Sequence, residues 1–217
     1  MMSGLTIVWQ QRDVMLSGLA TTLELSVIGA ILAALLGAVI FAALIHRARP
    51  VRFAAIALVD AMRCVPFMLF CYLLYYGLPY AGLTMDNFTV GIVALSIYHA
   101  SYMAELLRGA WKELPRDTID AGTAFGFHGI GLLRIVLPPV FIAAVPMLGN
   151  QFIQIIKDSA FLVIIAVEEL TYAANEIQAT YYVPFASFVC AVLGYWMLCL
   201  IVEGGVRFFT EMTAARR

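Results

Sequence analysis

Residues 25–45 read LSVIGAILAALLGAVIFAALI, with no Lys, Arg, Asp, Glu or Pro. At 1.5 Å of rise per helical residue, a run of this length crosses a hydrocarbon core of roughly 30 Å. Four further stretches lack charge in the same way: Cys64–Met85, Asn87–Ala104, Ile135–Ile156 and Ile177–Val202. No water reaches the backbone at that depth, so each stretch must satisfy its own N–H and C=O groups and is read as a helix. The fold class predicted is an all-α membrane protein with about five transmembrane helices, forming a single transmembrane domain over residues 1–217.

Composition agrees. Hydrophobic residues make up 63% of the chain and charged residues 12%, against about 45–50% and about 25% in soluble domains. Mean hydropathy is +0.93. A net charge of −1 offers nothing to nucleic acid. The remaining charges are sorted by loop. Arg47, Arg49 and Arg52 follow the first span; Arg108, Lys112, Arg116 and Arg134 follow the third; Arg207, Arg216 and Arg217 follow the fifth. The alternate loops carry Asp86, Glu168, Glu169 and Glu176 but no Lys or Arg. The positive-inside rule then puts the N-terminus outside and the C-terminus in the cytoplasm. Glu168 and Glu169 mark the outer face on this reading.

Chemistry of other kinds finds little support. Cys64, Cys71, Cys190 and Cys199 all fall in or beside spans without CxxC or metal-ligand spacing, so they read as packing residues. No G-x-x-x-x-G-K-[ST] phosphate loop is present, and no nucleophile–base set or metal constellation stands out. The opening segment places Trp9 at headgroup depth, and the first span reads as an uncleaved insertion signal.

Polar groups inside the spans are costly, so they mark a partner or a water-filled path. Asp60 and Arg63 lie three apart and are expected to pair on one helix face. Pro66 follows and is expected to bend the second span and free backbone carbonyls. Tyr98, His99 and Tyr102 sit midway along the third span. Asn150, Gln154, Lys157 and Asp158 recur at three- and four-residue spacing on the fourth. A zwitterionic solute needs both charge signs. Asp158 is therefore the candidate for an ammonium, with Gln154 and Ser159 adding hydrogen bonds and Lys157 or Arg63 answering a carboxylate. The alternative role for these groups is to hold helices together.

Between the third and fourth spans the chain reads DTIDAGTAFGFHGIGLLRIVLPP, with Gly122, Gly126, Gly129 and Gly131 followed by Pro138 and Pro139. A short helix is expected near Thr118, with Asp117 and Asp120 complementing its dipole. Gly126 and Gly129 then allow a sharp turn. This loop resembles the EAA loop of binding-protein-dependent ATP-binding-cassette importers. Asp120-Ala121-Gly122 stands at the Glu-Ala-Ala positions, with Asp for Glu and Gly for the second Ala, and Gly126 and IVLP ending at Pro138 follow. Thr21–Ser26 (TTLELS), Met62–Phe67 (MRCVPF), Ser101–Pro115 (SYMAELLRGAWKELP) and Leu148–Phe161 (LGNQFIQIIKDSAF) join it in order. Together they resemble the polar amino acid permeases, the histidine- and glutamine-type group.

That resemblance implies a type I ATP-binding-cassette importer permease fold in the bacterial inner membrane. It implies a coupling loop at about 105–134, with Asp120, Ala121, Gly122, Phe125 and Gly126 facing a cytoplasmic ATPase dimer. It implies a second permease subunit, the same or homologous, an extracytoplasmic solute-binding protein and an amino acid or opine-like substrate. No cofactor is expected in this chain; ATP and Mg belong on the ATPase. The substrate path would take Arg63, Tyr98, His99, Tyr102, Gln154, Lys157, Asp158 and Ser159. An ATP-independent channel or secondary transporter is the competing class.

Overall fold

The computed structural model describes residues 2–214; Arg216 and Arg217, used above for orientation, lie outside them. Among the described residues the elements are helical: α1 (Met2–Gln10), α2 (Arg12–Leu44), α3 (Arg49–Cys64), α4 (Phe67–Tyr80), α5 (Asn87–Lys112), α6 (Arg116–Ala124), α7 (Ile130–Ser159), α8 (Leu170–Tyr181) and α9 (Pro184–Ala214). A 3₁₀ segment, Ala160–Ile165, prolongs α7. Four helices are long and apolar enough to cross a membrane, or five if α3 and α4 form one broken span.

Four of the five expected spans are present with shifted ends, and the second corresponds to the bent α3–α4 pair. The first is longer than its uncharged core, because Arg12, Asp13 and Glu24 ride on exposed positions of α2. The second is not a continuous helix over Cys64–Met85. It breaks at Val65–Pro66, where both residues are extended, and α3 and α4 meet at 103°. Proline has no N–H to give and disfavours a helical residue before it, so the break sits where those two constraints fall. The third span runs on to Lys112, shortening the loop expected at 105–134. Ile177 belongs to α8, and the fifth span begins instead at Pro184, whose missing N–H is no loss in a first turn.

Helix α5 lies at the centre, packed along α2 and also against α3, α4 and α7. In lipid there is no hydrophobic gain from bringing two apolar helices together, so association rests on close packing. The buried stripe of α2 is correspondingly small: Gly18, Thr22, Ser26, Gly29, Ala33 and Gly37 recur every three or four residues. A Cβ at Gly37 would stand 3.0 Å from both Ala100 O and Met103 Cβ, and one at Gly18 would stand 2.9 Å from Ala173 Cβ. Three apolar clusters follow. One surrounds Leu25, Leu95 and Ile155 at mid-height, one surrounds Phe41, Leu107 and Val140 toward α6, and one surrounds Met15, Leu170 and Ile177 at the opposite end.

That opposite end contains a buried carboxylate. Glu169 is fully buried and caps α8, its oxygens accepting from the Thr171 and Tyr172 N–H groups at 2.9 Å and from the Tyr195 hydroxyl. It therefore does not share the exposed face expected of it; Glu168 does, lining a cleft with Thr21, Glu24 and Asp86. Burial pushes the Glu169 carboxyl above the ordinary range, outweighing the hydrogen bonds that pull it down.

Gly37→Leu is expected to destabilise the protein by about 1–3 kcal/mol through overpacking of α2 on α5. Gly109→Ala, which meets nothing within 4 Å, should leave thermal unfolding in detergent unchanged or slightly raised. Because the folded chain holds the Glu169 proton more tightly than the unfolded chain, the stability from this group is full below the usual glutamate range. It is lost as pH rises through the raised value. Melting curves taken across that interval should show the slope, and Glu169→Gln should flatten it.

Candidate functional site

The helix break creates the first half of the site. Ending α3 at Cys64 leaves carbonyls without intrahelical donors. Two of them find tyrosines on α5: Tyr98 Oη donates to Val65 O at 3.0 Å, and Tyr102 Oη donates to Arg63 O at 3.4 Å. The two hydroxyls are themselves 3.3 Å apart. Phe67, buried at the start of α4, packs edge-on to Tyr98 with ring centres 5.2 Å apart. The carbonyls freed by Pro66 are thus met by tyrosines rather than left open to a cavity.

The second half comes from α7. Gln151, Gln154 and Asp158 recur at three and four residues, and so share a helix face turned to α5. His99 is fully buried between the two helices. Its Nδ1 lies 2.7 Å from Gln151 Nε2, and its Nε2 lies 3.4 Å from Asp158 Oδ2. Gln154 Nε2 donates to Asp158 Oδ1 at 2.8 Å. The structure therefore brings together Tyr98, His99, Tyr102, Gln154 and Asp158 of the predicted set.

The side chains of the other three do not bond to His99 or Asp158 among the described residues. Arg63 does not pair with Asp60. Its Nη1 stands 3.8 Å from Glu105 Oε1 and its guanidinium lies 5.8 Å from the centre of the Tyr102 ring. Glu105 is also held by Arg108, whose Nε donates to Oε2 at 2.6 Å and whose Nη2 reaches Oε1. A helix-spanning partner wins over Asp60 because the break swings the end of α3 toward α5. Lys157 is exposed on α7 and forms no ion pair with Asp158 among the described residues. Ser159 is buried and donates to Ile156 O at 2.8 Å.

The loop after α5 forms an elbow. Helix α6 starts at Arg116, two residues before the expected Thr118, with Asp117 in its first turn and Asp120 in its second. It ends in a Schellman turn: Gly126 N donates to Thr123 O at 2.9 Å and Phe127 N to Gly122 O at 3.0 Å. That turn needs a positive φ at Gly126, and the value is 83°. Asp120, Ala121, Phe125 and Gly126 are exposed, Phe125 at 82%. Gly122 is instead buried, where a Cβ would come within 2.6 Å of Leu132 Cδ1 on α7. Glycine at this position lets α6 lie against α7, so Gly122 serves the elbow's own packing rather than its exposed face.

Residues 31–211 match the family described as the binding-protein-dependent transport system inner membrane component. The chain belongs to that family. Among relatives of this inner-membrane component is the probable glutamine ABC transporter permease protein GlnM of Bacillus subtilis. It is 30% identical over 95% of this chain and 96% of its own length. The histidine/lysine/arginine/ornithine transport system permease protein HisQ of Salmonella typhimurium is 29% identical over 91% and 92%. The crystal structure of an amino acid ABC transporter with histidines superposes with a TM-score of 0.89 at 25% identity, covering 94% of this chain and 96% of that one. The inward-facing MetNI methionine ABC transporter shares the fold, with a TM-score of 0.69 at 18% identity over 94% and 98%.

Within this inner-membrane component, Gln151 was the polar residue that sequence reading passed over, although it falls on the face of Gln154 and Asp158. The contact of Glu105 with Arg63 was hidden because the two lie far apart in the chain. Tyr98→Phe keeps the ring against Phe67 but leaves Val65 O without its donor. It should lower the unfolding free energy by about 1–2 kcal/mol, measured by thermal or denaturant unfolding of the purified protein, while Tyr76→Phe at the exposed end of α4 should not.

Proposed function

We propose that this inner-membrane component is the permease subunit of an ATP-driven importer of polar amino acids or close derivatives such as opines. The observation that carries the reading is the α6 elbow, an exposed Phe125 on a glycine-terminated helix joined to two spans, in a chain whose family serves binding-protein-dependent transport. An apolar side chain held out on a short helix suits a groove on a partner protein. The chain has no phosphate-binding loop of its own. Hydrolysis of ATP with Mg therefore belongs to a separate ATPase dimer, docked at the elbow on the cytoplasmic side. The N-terminus lies outside and the C-terminus inside, an orientation that the distribution of arginine supports. A solute-binding protein delivers substrate at the acidic end near Glu168, and a second permease subunit, identical or homologous, completes the conduit.

Force has a defined route in this arrangement. Closure of the ATPase moves α6, which rests on α7 at the Gly122–Leu132 contact. Helix α7 then reaches roughly 40 Å from the elbow to Asp158 at 1.5 Å per residue. Pro138, Pro139 and Pro146 interrupt its hydrogen-bond ladder and let it flex. The polar cluster at its far end is the substrate site, where Asp158 takes the ammonium group and Gln154 supports it. Relatives named for glutamine and for histidine, lysine, arginine and ornithine support a polar amino acid as cargo.

Gly126→Val places a β-branched residue at a positive φ and is expected to distort the elbow. In vesicles containing the full complex with its ATPase, uptake per ATP hydrolysed should fall by about tenfold or more, because a distorted elbow no longer passes closure of the ATPase to α7. Equal coupling in the variant, or uptake by the permease with no ATPase present, would count for the channel or secondary-transporter class instead.

A further inference from the structure

The importer function proposed above leaves one role unfilled: the group that answers the carboxylate of the amino acid. The side chains expected to do so form no hydrogen bond or ion pair with Asp158 or His99 among the described residues. The guanidinium of Arg63 is held between Glu105 and the face of Tyr102. Lys157 is exposed on α7 and forms no ion pair with Asp158 among the described residues. The hydroxyl of Ser159 is committed to Ile156 O.

One donor remains. His99 Nε2 is the buried side-chain nitrogen with no hydrogen-bond partner among the described residues, although His99 is fully buried. Such a group is costly to leave unmet, because water is gone and nothing replaces it. Its tautomer follows from its other nitrogen. Gln151 Nε2 is directed at Nδ1 from 2.7 Å, so Nδ1 accepts and the ring proton sits on Nε2. That proton faces the neighbourhood of Asp158 Oδ2, 3.4 Å away, without the alignment of a hydrogen bond.

We infer that His99 recognises the carboxylate of the transported amino acid, donating from Nε2 while the adjacent Asp158 receives the ammonium. The inference rests on the importer reading. An α-amino acid carries both groups on one carbon, side by side, and a donor next to an acceptor is their complement. Phe67, Tyr98 and Tyr102 stand around His99, with ring centres 6.0, 5.4 and 6.3 Å away, and keep the imidazole from turning. Gln154, exposed on α7, covers Asp158 Oδ1 and swings aside to admit the ligand. His99 is thus a specificity residue for α-amino acids over simple amines.

The test compares each amino acid with the amine left when its carboxylate is removed. Equilibrium binding to the purified permease–ATPase complex, without binding protein, would use L-histidine against histamine and L-glutamine against 4-aminobutanamide. The wild-type complex should prefer each amino acid by about tenfold or more, since a site built to bond a group rejects the analogue lacking it. His99→Phe should bring that ratio within about threefold of unity by weakening the acid and sparing the amine. Asp158→Asn should weaken both members of each pair. If His99→Phe fails to assemble, Gln151→Met releases the tautomer and should lower the ratio severalfold. An unchanged ratio in the histidine variant, or in the glutamine variant used in its place, overturns the role of His99 while Asp158→Asn still weakens both probes. Indifference of every probe to Asp158→Asn, or no binding by the wild-type complex, overturns the substrate site itself and the inference with it.

Discussion

A helix broken between apolar spans leaves carbonyls without intrahelical donors, and the centre of this structure is arranged around meeting them. At Val65–Pro66 the chain turns through 103°, and the hydroxyls of Tyr98 and Tyr102 accept the consequence by donating to Val65 O and Arg63 O. This ties α5 to the break. It also brings Arg63 to Glu105 and fixes the orientation of the α5 face that holds His99. A proline that disrupts one span thereby determines what its neighbour presents to the centre of the bundle.

The same economy of polar groups governs the two buried acids. Glu169 is surrounded by donors: two backbone N–H groups and the Tyr195 hydroxyl. It closes the start of α8 against α9 and serves the fold. Asp158 has a softer shell, with one exposed glutamine and an imidazole that approaches without bonding. A fully satisfied buried group rigidifies its surroundings, whereas a partly satisfied one is costly to keep. The difference between the two carboxylates is therefore a difference in the donors their neighbouring helices supply.

The elbow at α6 links this centre to the outside of the bundle. Gly126 reverses the chain with a positive φ, Gly122 admits Leu132, and Phe125 stands free. Small residues do comparable work along α2, where Gly18, Gly29 and Gly37 bring backbones near enough to compensate for the missing hydrophobic drive. The arrangement is stiff where helices touch through glycine and compliant where α7 carries its prolines.

The spans were legible because lipid acts on each residue in turn: an uncharged run such as Leu25–Ile45 needs no knowledge of its neighbours to be read. The turn at Gly126, the bend at Pro66 and the polar face of Gln154 and Asp158 were legible for the same local reason. Pairings between distant segments were not. Spacing suggested Asp60 for Arg63, but the break delivered Glu105; position in an acidic loop suggested an exposed Glu169, but α2, α8 and α9 close over it. By itself the sequence determined which segments enter the membrane and where the backbone must turn, since those depend on local chemistry. Only the tertiary structure decided which polar groups meet, and that His99 faces Asp158 with a donor to spare, because contacts across helices depend on packing that no single stretch contains.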